Sequence, residues 1–279
     1  VQYVKIKDSI VEQIEAGMLS PRQKLPAERK LAESFDTTRV TLREALSLLE
    51  AEGRIYREDR RGWFISPEPL RYDPTQTLNF PNMAKAQNRV PKTELIAAKG
   101  TLANKQSARL LQLQPFSDVF RVDRVRYLEE RPVVYVTNYI RPEIFPNLLS
   151  FDLTNSLTDI YREHFGVVYQ KTRYRISTST LLGEVAQALR ATSGTPAMVV
   201  ERTNYNQHGE LIDCDIEYWR HDASVLSRWQ SSITNVRIFI FKGSISEPLF
   251  CLNGKINGFF GNRTRCIFCG FACWLEYLG

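Results

Sequence analysis

The tightest constraint in the sequence is the punctuation of its first 66 residues. Three amphipathic stretches, each closed by a breaker, precede two short β-prone runs joined by a charged turn. Ile6, Ile10 and Ile14 recur every four residues with Val11 beside them, so residues 3–16 are expected to be a helix that Gly17 ends. Pro26 stands just before a second expected helix, over 27–35, where its missing N–H costs little; Leu31, Ala32 and Phe35 face inward. After the break at Asp36–Thr37 a third helix is expected over 38–52. Its Leu42, Ala45, Leu46 and Leu49 form an i, i+3, i+4, i+7 stripe that packs on the other two, and Gly53 closes it. Residues 54–57 and 62–65 then read as strands around the turn Glu58-Asp-Arg-Arg.

Three helices followed by a basic hairpin make a winged helix-turn-helix, which sets the N-terminal end of its third helix into the major groove of DNA. Here that end is Thr38-Arg-Val-Thr-Leu-Arg. Arg39 and Arg43 lie four apart, on one face opposite the leucine stripe, and a guanidinium fork matches O6 and N7 of guanine. Thr38 and Thr41, with the free N–H groups of the helix start, are placed to donate to phosphate. Arg29, near the start of the second helix, is in reach of backbone or a base edge. Arg60, Arg61 and Gly62 form the wing tip, where glycine lets the backbone approach DNA and arginine can enter the minor groove. The competing reading makes these arginines a solvated face beside Glu44 and Glu50. Total charge does not decide between the two. The chain carries a net +6, yet residues 1–70 hold 12 Lys/Arg and 12 Asp/Glu; placement, not basicity, carries the DNA reading.

The 279 residues suggest two domains, at 43% hydrophobic and 24% charged residues. No run approaches 18 consecutive apolar residues and no export signal is visible, so neither a membrane partner nor secretion is expected; the cytoplasm is. Boundaries are expected at 1–68 for the winged helix, 69–77 for a linker marked by Pro67, Pro69 and Pro74, and 78–228 for a second domain. In that domain 119–128, 132–140, 171–178, 197–205 and 212–219 read as strands, and 105–113, 157–165 and 183–190 as helices. Strands outnumber helices without regular alternation, so the fold class is α+β with an antiparallel sheet.

Arg124 and Arg126 alternate on one strand face, and two guanidinium forks there suit a phosphate or phosphonate. Ser156 opens the 157–165 helix, either as a plain N-cap or as a donor to an anion held by the helix start; the two roles can coexist. Asp213, Asp215 and Glu217 also share a face. They could meet an ammonium group of the ligand, or be solvated or paired with Arg202 or Arg220. No nucleophile–base–orienter set is visible. His164, His208 and His221 have no partner at motif spacing, so no enzyme, cofactor or metal is expected.

Leu25-Pro-Ala-Glu-Arg-Lys-Leu-Ala, Thr38-Arg-Val-Thr-Leu-Arg-Glu-Ala-Leu, Leu49-Glu-Ala-Glu-Gly and Arg61-Gly-Trp-Phe-Ile closely resemble the N-terminal domain of GntR-family bacterial transcription regulators. That resemblance implies Arg29, Thr38, Arg39, Thr41, Arg43 and Gly62 as DNA contacts. Leu111-Gln-Leu-Gln-Pro-Phe, Arg124-Val-Arg-Tyr, Asn138-Tyr-Ile-Arg-Pro, Ser156-Leu-Thr-Asp-Ile-Tyr and Asp215-Ile-Glu-Tyr-Trp-Arg-His-Asp resemble the effector (UTRA) module of the HutC subgroup, which implies a chorismate-lyase-like fold. In related modules the matching Arg-x-Arg pair and helix-start Ser hold the ligand's acidic group, and Thr158 in the same motif is grouped with them. A finer likeness, to repressors of phosphonate (2-aminoethylphosphonate) utilisation, rests on Asp36-Thr-Thr-Arg, Arg60-Arg-Gly-Trp-Phe, Asp73-Pro-Thr-Gln and the run Asp213–Asp222. The resemblance implies a homodimeric repressor on a palindromic operator, released by a small anion. The alternatives are a lyase-like enzyme and a sugar-phosphate-responsive regulator. One departure concerns ligand contacts: Val136 and Thr137 stand where many HutC-type sequences have Glu.

Residues 229–279 do not fit either domain. They carry ten aromatics and four of the five cysteines, Cys251, Cys266, Cys269 and Cys273, with no lasting periodicity. Three thiols at Cys-x-x-Cys-x-x-x-Cys spacing lack a fourth ligand for structural zinc. The expectation is a segment foreign to the family.

Overall fold

The computed structural model describes residues 1–74 and 79–227, together with the backbone of 236–241 and 272–277. The chain divides into two compact units. The first comprises Val1–Arg71, Thr180–Pro196 and Arg220–Val225; the second comprises Tyr72–Ser179, Ala197–Trp219 and Leu226–Gly279.

In the first unit the apolar periods become helices α1 (Gln2–Glu15), α2 (Glu28–Ser34) and α3 (Arg39–Ala51), within two residues of the expected bounds. Thr38 caps α3 by accepting from the Thr41 amide at 3.2 Å. Leu42, Ala45, Leu46 and Leu49 are fully buried and pack with Ile6, Ile10, Leu31 and Ala32. The wing pairs β1 (Ile55–Glu58) with β2 (Gly62–Ile65), and Ile55, Trp63 and Ile65 close the same core. Gly62 at φ +100° is a backbone state that side chains rarely adopt, so this turn requires glycine.

Segments from far along the chain complete this unit. The Asp59 amide, in the wing turn, donates to the Arg190 carbonyl, just past α7 (Gly183–Ala188). The Arg220 guanidinium donates to the carbonyls of Arg57 and Leu189, and the Ser66 hydroxyl to Asp222. The Leu70 amide donates to the Ala223 carbonyl. Leu70 opens β3 (Leu70–Tyr72), a short strand inside the segment expected as a linker, which pairs with Ser224–Leu226 near the end of the second domain.

The second unit is built on a sheet of β4 (Pro91–Leu102), β5 (Asp118–Leu128), β6 (Arg131–Ile140), β7 (Tyr169–Thr180), β8 (Pro196–Asn206) and β9 (Leu211–Arg220). Strand β10 is Ser224–Leu226, and the tail adds β11 (Val236–Phe241) and β12 (Ala272–Tyr277) to the sheet. The order is β11-β12-β7-β8-β9-β6-β5-β4, with antiparallel pairing along β4-β5-β6-β9 and β7-β12-β11. The fold class is α+β, as predicted. Strand β4 and the helix α4 (Phe80–Lys85) were not predicted; α5 (Lys105–Leu111) and α6 (Leu157–Phe165) were. The backbone of Cys273 thus lies in β12, paired with Ile240 of β11 on one side and Ile176 of β7 on the other. The cysteine side chains of the tail lie outside the described residues, and with them the zinc reading. Among the described residues no group of His, Cys, Asp and Glu could hold a metal.

Candidate functional site

Glu28, at the start of α2, organises the exposed arginines of α3. Its carboxylate is 2.8 Å from Arg43 Nε and 3.6 Å from Arg39, and it accepts from Trp63 Nε1 at 3.2 Å. Burial pushes the Glu28 carboxyl up, but the bonds from Arg43 and Trp63 outweigh it and hold it below the usual range. Arg29 pairs with Glu33 on an exposed face, and Arg61 with the buried carboxylate of Glu58 at the wing. The pairs of Arg29, Arg39 and Arg43 each involve half or more of the arginine left in solvent. The Arg29–Glu33 pair, exposed on both sides, is worth about 0–1 kcal/mol, and the exposed parts of Arg39 and Arg43 leave them open to phosphate. Sequence reasoning did not single out Glu28. Its only signal was an acidic residue in the first turn of α2.

In the second unit a cavity of about 380 Å³ is lined by Arg124, Arg126, Ser156, Thr158 and Glu217 among others, which brings together five of the six predicted effector residues. The exception is Asp215. It is fully buried, absent from the cavity wall, and gripped by both Nε and Nη2 of Arg202. Arg202 itself lines the cavity and reaches Glu217 at 3.3 Å. Glu217 also accepts from Trp219 Nε1 at 2.7 Å and lies 3.8 Å from Arg126. The three carboxylates of β9 therefore do not face a ligand together. Asp215 and Glu217 meet Arg202, and Asp213 accepts from Tyr161, Tyr169 and Asn204. At the departure noted above, Val136 is fully buried and Thr137 donates to Asp123, so neither lines the cavity.

The two arginines of β5 differ. Arg126 has Glu217 as a counter-charge and lies 5.2 Å from the Phe80 ring. Arg124 is only 3% exposed and donates to neutral oxygens alone: Asn138 Oδ1 at 2.9 Å, the Asn155 carbonyl at 3.1 Å and the Leu153 carbonyl at 3.4 Å. No carboxylate among the described residues pairs with it, and its Nε has no acceptor. Burial, then the neighbouring Arg126 charge, push Arg124 down to about 9, which leaves it cationic at neutral pH. Ser156 caps α6, accepting from the Asp159 amide at 3.3 Å; its hydroxyl is 2.8 Å from Thr158 Oγ1 and accepts from Asn79 Nδ2 at 3.1 Å. The cap and the cavity wall are thus the same group. Asn79, Asn138, Tyr169 and Arg202 line the cavity without having been predicted.

Asp213 has a testable consequence. It is wholly buried, and burial with the nearby Asp215 charge raises it from 3.8 to about 6, against the hydrogen bonds from Tyr169, Asn204 and Tyr161. The folded state therefore keeps this proton to higher pH than the unfolded chain does. The stability it contributes is full below about pH 4 and is lost as the pH rises through 6, by about 3 kcal/mol in all. Urea denaturation between pH 4 and 7 is expected to show the wild type losing stability relative to Asp213→Asn across that window. Parallel curves would mean that Asp213 titrates as in the unfolded chain.

A winged helix-turn-helix on one chain with a sheet domain that encloses a polar, ligand-sized cavity is the build of a transcription regulator. Residues 2–65 match the model of bacterial regulatory proteins of the gntR family, and residues 86–224 that of the UTRA domain. The chain is a GntR-type transcription regulator with a UTRA domain. It is 29% identical over 218 residues to the HTH-type transcriptional regulator YihL of Escherichia coli (strain K12), covering 78% of this chain and 92% of that one. Identity to the HTH-type transcriptional repressor NagR of Bacillus subtilis (strain 168) is 27% over 220 residues, 79% and 90% of the two chains. The crystal structure of PhnF from Mycobacterium smegmatis shares the fold with a TM-score of 0.56 at 24% identity, over 80% of this chain and 97% of that one. The matched families and relatives are regulators, not enzymes, which removes the lyase alternative. Among the described residues no helix is long and apolar enough to cross a membrane.

Proposed function

We propose that this protein is a dimeric repressor whose hold on operator DNA is relaxed when a small tetrahedral anion enters the cavity beside Arg124. The observation that carries this reading is Arg124 itself: a buried guanidinium at a cavity wall with, among the described residues, no carboxylate partner and no acceptor for its Nε. A buried charge is costly until it is paired, and a phosphate or phosphonate would supply both the charge and the acceptors. Arg126, Ser156 and Thr158 line the same cavity and can add donors. Arg29, Thr38, Arg39, Thr41, Arg43, Arg61 and Gly62 form the DNA face. The motif likeness to phosphonate-utilisation repressors, and the fold shared with PhnF, make 2-aminoethylphosphonate the first ligand to test. Sugar phosphates are the second reading, because about 380 Å³ lies in the range that holds drug-sized ligands.

The test is a thermal-shift screen of 2-aminoethylphosphonate, methylphosphonate, inorganic phosphate and hexose phosphates, followed by gel-shift release from DNA selected by the protein. One or more tetrahedral anions should raise the melting temperature, and the best of them should release the DNA. No shift with any of them ends the anion reading. A shift only with hexose phosphates rejects the phosphonate assignment.

A further inference from the structure

We propose that Val40 reads a thymine methyl group in the major groove and so fixes part of the operator sequence. The inference rests on the DNA-reading function proposed above.

Val40 is the second residue of α3 and is 68% exposed, although the buried stripe of the same helix is complete without it. Nothing in the fold calls for an apolar group there. Valine is also a weaker helix former than alanine, lysine or glutamate, so propensity does not explain it. Its neighbours in the first turns all have assignments. Thr38 caps the helix, Thr41 is bonded to Thr38, and Arg39 and Arg43 lean toward Glu28. Val40 is left as an apolar knob among polar groups, on the turn that a helix-turn-helix presents to base edges. On those edges the major groove offers one apolar feature, the C5 methyl of thymine. A β-branched side chain in a helix keeps one χ1 rotamer, so the knob is already ordered and loses little entropy on contact.

The experiment starts from DNA selected in vitro by the full-length protein. Each thymine of the consensus is then replaced singly by uracil, which deletes only the methyl group. One thymine per half-site is expected to show about a fourfold loss of affinity, the effect of burying a single methyl group. In Val40→Ala that loss should shrink to nearly nothing, while losses from guanine changes persist. The variant sits at an exposed position and gains helix propensity, so it should fold. A consensus with no methyl dependence, or the same methyl dependence in Val40→Ala, overturns the inference and leaves the DNA reading intact. Selection that yields no consensus rejects both.

Discussion

Replacing Arg124 by methionine is expected to weaken binding of the anionic effector at least about thirtyfold, yet to leave the ligand-free protein close to wild-type stability. The first half follows from desolvation. A ligand that supplies the counter-charge to a fully buried guanidinium makes charge-assisted bonds, and truncating one partner of such a pair costs about 2–5 kcal/mol. The second half follows from what Arg124 lacks. Among the described residues it holds no carboxylate, so removing it strands no opposite charge there. Three neutral acceptors lose a donor, which costs stability. A buried charge without a partner is lost too, which returns some. Arg126→Met should weaken binding less, because Arg126 divides its charge between the ligand and Glu217. Calorimetric titration with the anion from the screen, alongside urea denaturation without it, reads both halves. A variant that binds normally, or that unfolds without ligand, would make Arg124 a strut for the loop at residues 153–155 instead of the effector's counter-ion.

The parts of this molecule legible in its sequence are those whose side chains repeat against one core. The stripe Leu42, Ala45, Leu46 and Leu49 could only be a helix face, and it is. Strand β4 carries no such pattern. It ends the sheet order, so among the described residues no strand pairs with its outer side, and its Leu95 and Ile96 are both about half exposed around a register shift. Six-residue α4 is too short to establish a period and takes its start from the Asn79 cap. For the cavity, alternation correctly placed Arg124 with Arg126 and put Asp213, Asp215 and Glu217 on one strand face. It could not say what stands opposite each carboxylate. Arg202 and Arg220 were equal candidates on sequence. The structure brings Arg202 to Asp215 and Glu217, and sends Arg220 to the backbone of the wing. That choice depends on pairing between residues 13 or more apart, which local periodicity does not encode.

Truncating Arg220 to alanine is expected to destabilise the first unit by about 3–5 kcal/mol and to weaken DNA binding with it. Arg220 is among the largest fully buried side chains. It donates to the Arg57 carbonyl at 2.7 Å and the Leu189 carbonyl at 2.8 Å, lies 3.7 Å from Asp222, and sits 5.5 Å from the Tyr56 ring. Alanine would leave two buried carbonyls without this donor and Asp222 without its charge, and would open a cavity against Tyr56. Arg57 belongs to β1, so the bond anchors the strand that leads into the wing turn. The turn is tied separately through Asp59 to Arg190, and the strand's return through Ser66 to Asp222. The Arg61–Gly62 tip thus depends on residues more than a hundred positions away, and loss of Arg220 should loosen the wing first. Arg220→Lys keeps the charge but cannot fork to both carbonyls, so it should recover only part of the loss. Denaturation of both variants, with DNA affinity measured below the unfolding transition, separates the effects. Wild-type stability and affinity in Arg220→Ala would show that water satisfies these carbonyls and that the wing holds its shape unaided.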